Sequence, residues 1–412
     1  MTKYKLTPSN KMGCLKVLIF CVFLTANLIT AQEKEGAEPE WKMTPNWDTR
    51  QLVDGSWTPL QLSPDKKMDY LNIFSINVNS KTGNQVVFQA YISNGDGTYD
   101  KKNFWPTYQT QNIKPEFGDV NGDGIADVIY NLSNSNSTFR IQTYINQGDG
   151  TWKKIPLWNG TKLDFGDYYW FVTDVNNDSK DDLVRYFNKG GDMSFGTFIS
   201  NGDGSYQPEV VWDTNRNTTG EWLSIDIDDD GKTDVANLWD LDSKEIFTMY
   251  FANGDGTYRR VSDYHTGKDE SGRWSPLDVN GDGKMDIVNF WTLDGDEVFT
   301  TYFSLGNGSW NLSENWHSGR DESGSWVPAD VNGDGKTDIV NFWDYEGTQR
   351  FSMYLSNGNG TWNNISDYNT GKDPGGDWKL QDVNGDGKTD IVNVWNYFKE
   401  SQLFQTYISE ID

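Results

Sequence analysis

Apolar and polar positions alternate with a period of two in short runs along the chain. In "VFTTYFS", from Val298 to Ser304, Phe299, Thr301 and Phe303 share one face and Thr300 and Tyr302 the other, which predicts a strand. "DIVNFW", from Asp286 to Trp291, predicts a second. A third runs through the Trp that precedes each acidic stretch, such as Trp274. A fourth starts from the aromatic that follows a Gly-rich turn. These turns read "SNGDGTY" at Ser93, "NQGDGTW" at Asn146, "SNGDGSY" at Ser200, "ANGDGTY" at Ala252, "SLGNGSW" at Ser304 and "SNGNGTW" at Ser356, the chemistry a hairpin demands. No window sustains a helical period.

The four-strand unit repeats. An acidic stretch of the form "DVNGDGKTD" begins at Asp119, Asp174, Asp226, Asp278, Asp330 and Asp382, at spacings of 55 and then four times 52 residues. An eroded seventh copy lies upstream: Trp57, Pro59 and Leu60 precede Gln61 as Trp274, Pro276 and Leu277 precede Asp278. There "QLSPDKKMD" keeps only Asp65 and Asp69 at matching places. Four-stranded units of this length in seven copies predict an all-β, seven-bladed β-propeller. The last repeat stops at "FQTYISEID", before its fourth strand, and "EWKMTPNWDTR" at residues 40–50 resembles the missing one. It is expected to complete the last blade and close the ring, removing an exposed edge. A solenoid with atypical caps is the alternative.

Composition narrows the setting. Aromatics at 15%, with 19 Trp and 41 Gly, suit strands and tight turns. Residues 1–31 read as a secretory signal, with Lys3, Lys5, Lys11 and Lys16 ahead of an apolar run from Val17 to Leu24 and a small-residue cleavage site at Ala31. Met12 is an alternative start. The apolar run is too short for a comfortable membrane span. Both cysteines, Cys14 and Cys21, lie in this signal, and Phe20 is bulky for a lipoprotein site. Residues 32–40 are expected as a linker and 41–412 as the propeller. The secreted chain then has no disulfide to brace it. Loss of the signal's four Lys, with no acid, moves the net charge from −26 to −30, which disfavours nucleic acid and anionic lipid and invites cations.

The acidic stretch suits a hard cation. Numbered from Asp330, oxygen side chains fall at positions 1, 3, 5 and 9 (Asp330, Asn332, Asp334, Asp338), with Gly335 at 6 and the Lys336 carbonyl at 7. Calcium takes six to eight oxygens from alternate residues of a loop that curls around it, and the Gly permits the bend. The corresponding ligand sets are Asp119, Asn121, Asp123, Ile125 and Asp127; Asp174, Asn176, Asp178, Lys180 and Asp182; and Asp226, Asp228, Asp230, Lys232 and Asp234. Asp278, Asn280, Asp282, Lys284 and Asp286 form the next, and Asp382, Asn384, Asp386, Lys388 and Asp390 the last. A solvated Asx turn needs no acid at position 9. Nineteen carboxylates across six loops would repel one another without cations, and six Ca²⁺ would bring −30 to about −18. The Asp174 loop has Ser179 in place of the Gly and is expected to be weaker. The eroded first copy is expected to bind nothing. Calcium is thus read as a structural staple in place of disulfides.

The "DxNxDGxxD" loop and the strand after it, "DVNGDGKTDIV", resemble the FG-GAP or VCBS repeat over residues 57–412. That resemblance implies calcium in the loops and the propeller of integrin α-chains and of secreted fungal and bacterial lectins. It transfers no ligand, because the fold serves unrelated functions.

A second constellation recurs in "DYHTGKDESGRW" (Asp263–Trp274), "NWHSGRDESGSW" (Asn315–Trp326) and "DYNTGKDPGGDW" (Asp367–Trp378), more loosely in "VWDTNRNTTGEW" (Val211–Trp222). Aromatic, amide, acidic and basic groups are the materials of a sugar site. His265, Lys268, Asp269, His317, Arg320, Asp321, Asn369, Lys372 and Asp373 are the candidate ligand-binding residues. The plainer reading is an inter-blade loop that keeps its basic residue and Asp for a salt bridge, with Trp222, Trp274, Trp326 and Trp378 in the core. "NFW" (Asn289–Trp291, Asn341–Trp343) reads as packing. The only histidines, His265 and His317, occupy equivalent positions, and no Cys nucleophile, GxSxG, HExxH or phosphate loop occurs, so no catalytic residue is assigned. A lyase site using Tyr168, Tyr169 or Arg185 in the divergent repeats is the enzymatic alternative. Sequons such as Asn159, Asn307 and Asn359 coincide with good turns, while Asn177 lies inside an acidic loop. The leading expectation is a secreted, calcium-stabilised propeller that binds a glycan or glycoprotein multivalently. The runner-up is a protein-binding adhesion platform.

Overall fold

Seven antiparallel sheets follow one another along the chain, each with four or five strands. The computed structural model describes residues 41–50, 55–79, 83–107, 113–132, 138–162, 168–216, 220–268, 272–320, 324–373, 375–397 and 401–411. The signal and linker expectations lie outside them. Blade 1 takes strands Ser56–Leu60, Asp69–Asn79, Gly83–Ser93 and Tyr99–Lys101 in that spatial order. Blades 2 to 6 repeat the order from first strands Glu116–Gly118, Tyr168–Thr173, Glu221–Ile225, Arg273–Leu277 and Ser325–Ala329. Blade 7 takes Asp377–Gln381, Asp390–Tyr397 and Ser401–Ser409, and its fourth strand is Trp41–Met43, paired antiparallel to Ser401–Ser409. The chain is an all-β, seven-bladed propeller.

The alternating pattern explains the packing. Blades bury their faces against one another, so each of the seven larger core clusters joins residues from two neighbouring sheets. Phe247 of blade 4, for example, meets Trp274, Tyr302 and Trp310 of blade 5 edge-on at 5.1–5.6 Å. Edge-to-face pairs are favoured by the ring quadrupole. The aromatics after the Gly-rich turns (Tyr99, Trp152, Tyr206, Tyr258, Trp310, Trp362) are all buried. Trp274 and Trp326 are core as expected, and Trp222 and Trp378 pack against it half-buried.

The acidic loops are wired to one another by backbone hydrogen bonds. The amide at position 8 of each loop donates to the carbonyl at position 1 of the loop before it: Ala126 to Gln61, Asp181 to Asp119, Thr233 to Asp174 and Met285 to Asp226. Thr337 to Asp278, Thr389 to Asp330 and Met68 to Asp382 complete a circuit of seven bonds, 2.7–3.1 Å long. Loop 1 therefore follows loop 7, as a ring demands.

Candidate functional site

The acidic loop owes its shape to its own side chains. In the Asp330 copy, Oδ1 of Asp330 accepts from the amides of Gly333 (2.7 Å) and Asp334 (3.2 Å), and Oδ2 from Gly335 (2.9 Å). Asn332 Oδ1 accepts from Asp334, and Asp334 Oδ1 from Lys336. The curl puts positions 4 and 6 in the left-handed region, with φ of 74° at Gly333 and 80° at Gly335, where a Cβ is unfavourable. Asn177 and Ser179 adopt that region at φ 59° and 64°, so the Asp174 loop carries strain its glycine-bearing counterparts avoid.

Position 9 plays a part the sequence did not disclose. Asp338 is fully buried; its Oδ2 accepts from the Val331 amide at 3.1 Å and its Oδ1 from the Ser356 amide at 2.8 Å. The same pair of bonds recurs at Asp69, Asp127, Asp182, Asp234, Asp286 and Asp390. Even Asp69, in the eroded copy, keeps both. This carboxylate ties the loop to the hairpin of its own blade. Burial, with nearby loop acids adding to it, pushes Asp127 up to about 8 and Asp338 and Asp390 up to about 7.

The donor set fits a hard cation where it can be tested most directly. In the third intact loop, carboxylate oxygens of Asp226, Asp228 and Asp234 lie within 4.8 Å of one another. Asp228 Oδ1 is buried without a hydrogen-bond partner. Burial, then the Asp230 and Asp226 charges, raises the Asp228 pKa. An orphaned carboxylate oxygen facing two more is the chemistry a divalent cation would satisfy. Where position 7 is Lys, its ammonium supplies a partial counter-charge: Lys180, Lys284 and Lys336 contact Asp178, Asp282 and Asp334 at 2.6–3.2 Å, and Lys232 contacts Asp230. Lys388 instead reaches the Ile411 carbonyl. In the first copy, Lys67 pairs with Asp65 at 2.9 Å.

The second constellation is only partly a loop. Tyr264–His265 and Trp316–His317 pair with the third strands of blades 4 and 5, continuing the outer strand, because Tyr264 and Trp316 turn inward onto Phe247 and Phe299. The frame's aromatic thus packs half-buried against the core. Its basic residue reaches the next blade: Arg216 holds both oxygens of Asp263 (2.7–2.8 Å), Arg320 both oxygens of Asp367 (2.7–2.9 Å), and Lys268 lies 3.4 Å from Asn315 Oδ1. A relay backs each contact. Trp343 Nε1 donates to Ser352 Oγ, which donates to Asp367, while the Arg320 guanidinium lies 5.5 Å over the Trp343 ring. Trp239–Thr248–Asp263 and Trp291–Thr300–Asn315 repeat it. The "NFW" tryptophan is therefore both packing and relay, which periodicity alone could not reveal.

His265, Asn369, Lys372 and Asp373 are exposed, and His317 Nδ1 lies 2.9 Å from Asp296 Oδ2. Asp373 Oδ1 accepts from the Gly375 amide. Asp269 and Asp321 fall outside the described residues. Of the lyase candidates, Arg185 is buried and donates from Nε to Glu209 at 2.5 Å, with its guanidinium 4.0 Å over Phe187. Tyr169 is 75% exposed, and the Tyr168 side chain lies outside the description.

A profile of the FG-GAP-like repeat matches residues 226–289, 278–341 and 330–393. No curated protein matches the chain. Among solved structures, the Tc holotoxin pore of Photorhabdus luminescens is similar at 14% identity and TM-score 0.47; the alignment covers 82% of this chain, which spans only 17% of that one. A rhamnogalacturonan lyase aligns at 15% identity and TM-score 0.35, covering 88% of this chain and 91% of that one. An α-L-arabinanase of Penicillium chrysogenum aligns at 12% identity and TM-score 0.37, covering 90% and 94%.

Proposed function

This chain is a seven-bladed propeller with FG-GAP-like repeats over residues 226–393, and on that premise we propose that it is a secreted, calcium-stabilised protein that binds glycans multivalently. The observation that carries the binding half is a threefold repetition. His265, His317 and Asn369 stand at equivalent outer-strand positions, each just ahead of a basic residue, Lys268, Arg320 or Lys372. Two of those residues reach into the next blade. Such contacts order the segment, which lowers the entropy cost of engaging a ligand there. Weak sites on one rigid ring gain avidity when the target is itself repetitive.

Calcium belongs to the same reading. Asp226, Asp228 and Asp234 would hold one ion, and positions 1, 3, 5 and 9 of the other five loops the rest. The cation supplies charge neutralisation and a bridge across each loop. At ten to a hundred times its dissociation constant each ion adds about 1–3 kcal/mol. The N-terminal strand Trp41–Met43 would latch the ring. A glycan array probed with folded protein in calcium tests the binding: signal on densely displayed glycans supports the reading, and a blank array rejects it.

A further inference from the structure

The relay joins blades 3 to 6, through Trp239, Trp291 and Trp343, and does not continue from blade 6 to blade 7, where a cleft opens. In blade 7 the counterpart of Trp343 is Trp395, and the counterpart of Ser352, facing Asn393 across the ladder as Ser352 faces Asn341, is Gln405. Gln405 turns its amide to the Thr44 carbonyl of the N-terminal segment. The position of Asp367, one residue before the inward aromatic of the outer strand, falls to Asn46, since Trp47 pairs with Phe404 as Tyr368 pairs with Phe351. Among the described residues, nothing accepts from the Trp395 indole N–H, and the Lys372 ammonium has no ion-pair partner. Here Lys372 and Asn46 are exposed and Trp395 is partly so, while Gln405 is buried against the N-terminal segment.

They face a common space. A cleft of about 940 Å³ is lined by Lys372 and Asp373 from blade 6, Trp395 and Gln402 from blade 7, Asn46 from the N-terminal segment and Trp57 from blade 1. Its size falls in the range of small-molecule sites, about 300–1,000 Å³. It lies at the ends of strands Asp390–Tyr397 and Ser401–Ser409 that point away from the acidic loops. Gln402 is 7% exposed, and its Oε1 is buried with no hydrogen-bond partner. A buried acceptor without a donor costs on the order of a hydrogen bond, and a ligand hydroxyl is the kind of group that would relieve it.

We propose that this seam cleft is a single saccharide-binding site, which shares Lys372 with the threefold repetition and is otherwise built from residues outside it. The indole offers a flat apolar face and an N–H, Gln402 an acceptor, Asp373 an acceptor for hydroxyls, and Lys372 a cation for a hydroxyl or uronate oxygen. The inference rests on the reading that the protein binds glycans, but it places the one strong site where the ring closes instead of on the repeats. Only the seam can hold it, because only there does the N-terminal segment stand in for an outer strand supplied in sequence.

The test is calorimetric titration of the full chain, in calcium, with three trisaccharides: galacturonate, N-acetylglucosamine and arabinose. The expected result is one site per chain for at least one of them, weakened tenfold or more by Trp395→Phe and by Lys372→Ala with an unchanged melting midpoint. His265→Ala should leave that site intact. A larger loss on Lys372→Ala for galacturonate than for the neutral sugars would identify the uronate as what the ammonium meets. Equal losses would assign Lys372 to a hydroxyl. Binding by none of the three, or binding that neither seam variant weakens, overturns the seam site. Several sites per chain lost in His265→Ala and kept in Trp395→Phe would overturn it while preserving multivalent binding. One site lost only in the seam variants would do the reverse.

Discussion

The amide of Met68 donates to the carbonyl of Asp382 at 2.8 Å, joining the first acidic loop to the last. The two residues are the ends of a circuit in which every other bond links consecutive repeats. The eroded first copy therefore retains the backbone bond at position 8 and both bonds of Asp69 after losing the side chains of positions 1 and 3, because the circuit needs its backbone.

The N-terminal strand should behave as a latch of the same ring. Trp41 is buried against Phe351 at 6.2 Å, and its strand covers the edge of Ser401–Ser409. Trp41→Ala is expected to cost about 3–5 kcal/mol, read as a lowered urea midpoint. Removal of residues 1–48 should expose that edge and promote association, visible by light scattering.

Positions 5 and 9 of the acidic loop should separate in mutants. Asp338→Ala leaves two buried amides, of Val331 and Ser356, without acceptors and should cost about 2–5 kcal/mol in EDTA as well as in calcium. Asp334 is exposed and serves only its own loop. Asp334→Ala should lower the melting midpoint in calcium and leave it nearly unchanged in EDTA.

Asp69 supplies a pH signature in the copy without a ligand set. Burial pushes its carboxyl up to about 6, against hydrogen bonds from Ser93, Ser63 and Leu62. An unfolded Asp titrates near 3.9. The raised folded value means the group's stabilising contribution is full below about pH 4 and is lost as pH rises through about 6. Carboxyl-detected NMR should show one Asp titrating near pH 6 in calcium. The stability gap between the native chain and Asp69→Ser should narrow over pH 4–6, by on the order of 2 kcal/mol. A gap that widens would reverse the sign.

The inter-blade contacts predict a smaller effect. Arg320 and Asp367 are partly exposed, at 32% and 23% of their side chains, so solvent screening limits the pair to about 1 kcal/mol. A double-mutant cycle with Arg320→Ala and Asp367→Ala measures it. Coupling to Trp343 through Ser352 should appear when Trp343→Phe is added.

Much of this architecture is legible in the sequence because propellers repeat. The 52-residue period gives the blades, "VFTTYFS" gives a third strand, and "WKMTPNWDTR" gives the strand that blade 7 lacks. What escapes is whatever depends on contacts between repeats. Asp338 looks like one more cation ligand until its two backbone donors are seen. Tyr264 and Trp316 look like sugar platforms until the ladder turns them inward. The seam cleft leaves no local mark at all: Lys372 is typed like Lys268, and only the substitution of Asn46 and Gln405 at distant register positions sets it apart.

Calcium dependence is the most direct test of the account. The thermal midpoint of the folded chain should rise by about 10 °C from EDTA to millimolar Ca²⁺, as several ions at about 1–3 kcal/mol each imply. Asp228→Ala should reduce that rise. An identical midpoint in EDTA and in calcium would contradict the staple, and leave the acidic loops as turns held by their own hydrogen bonds.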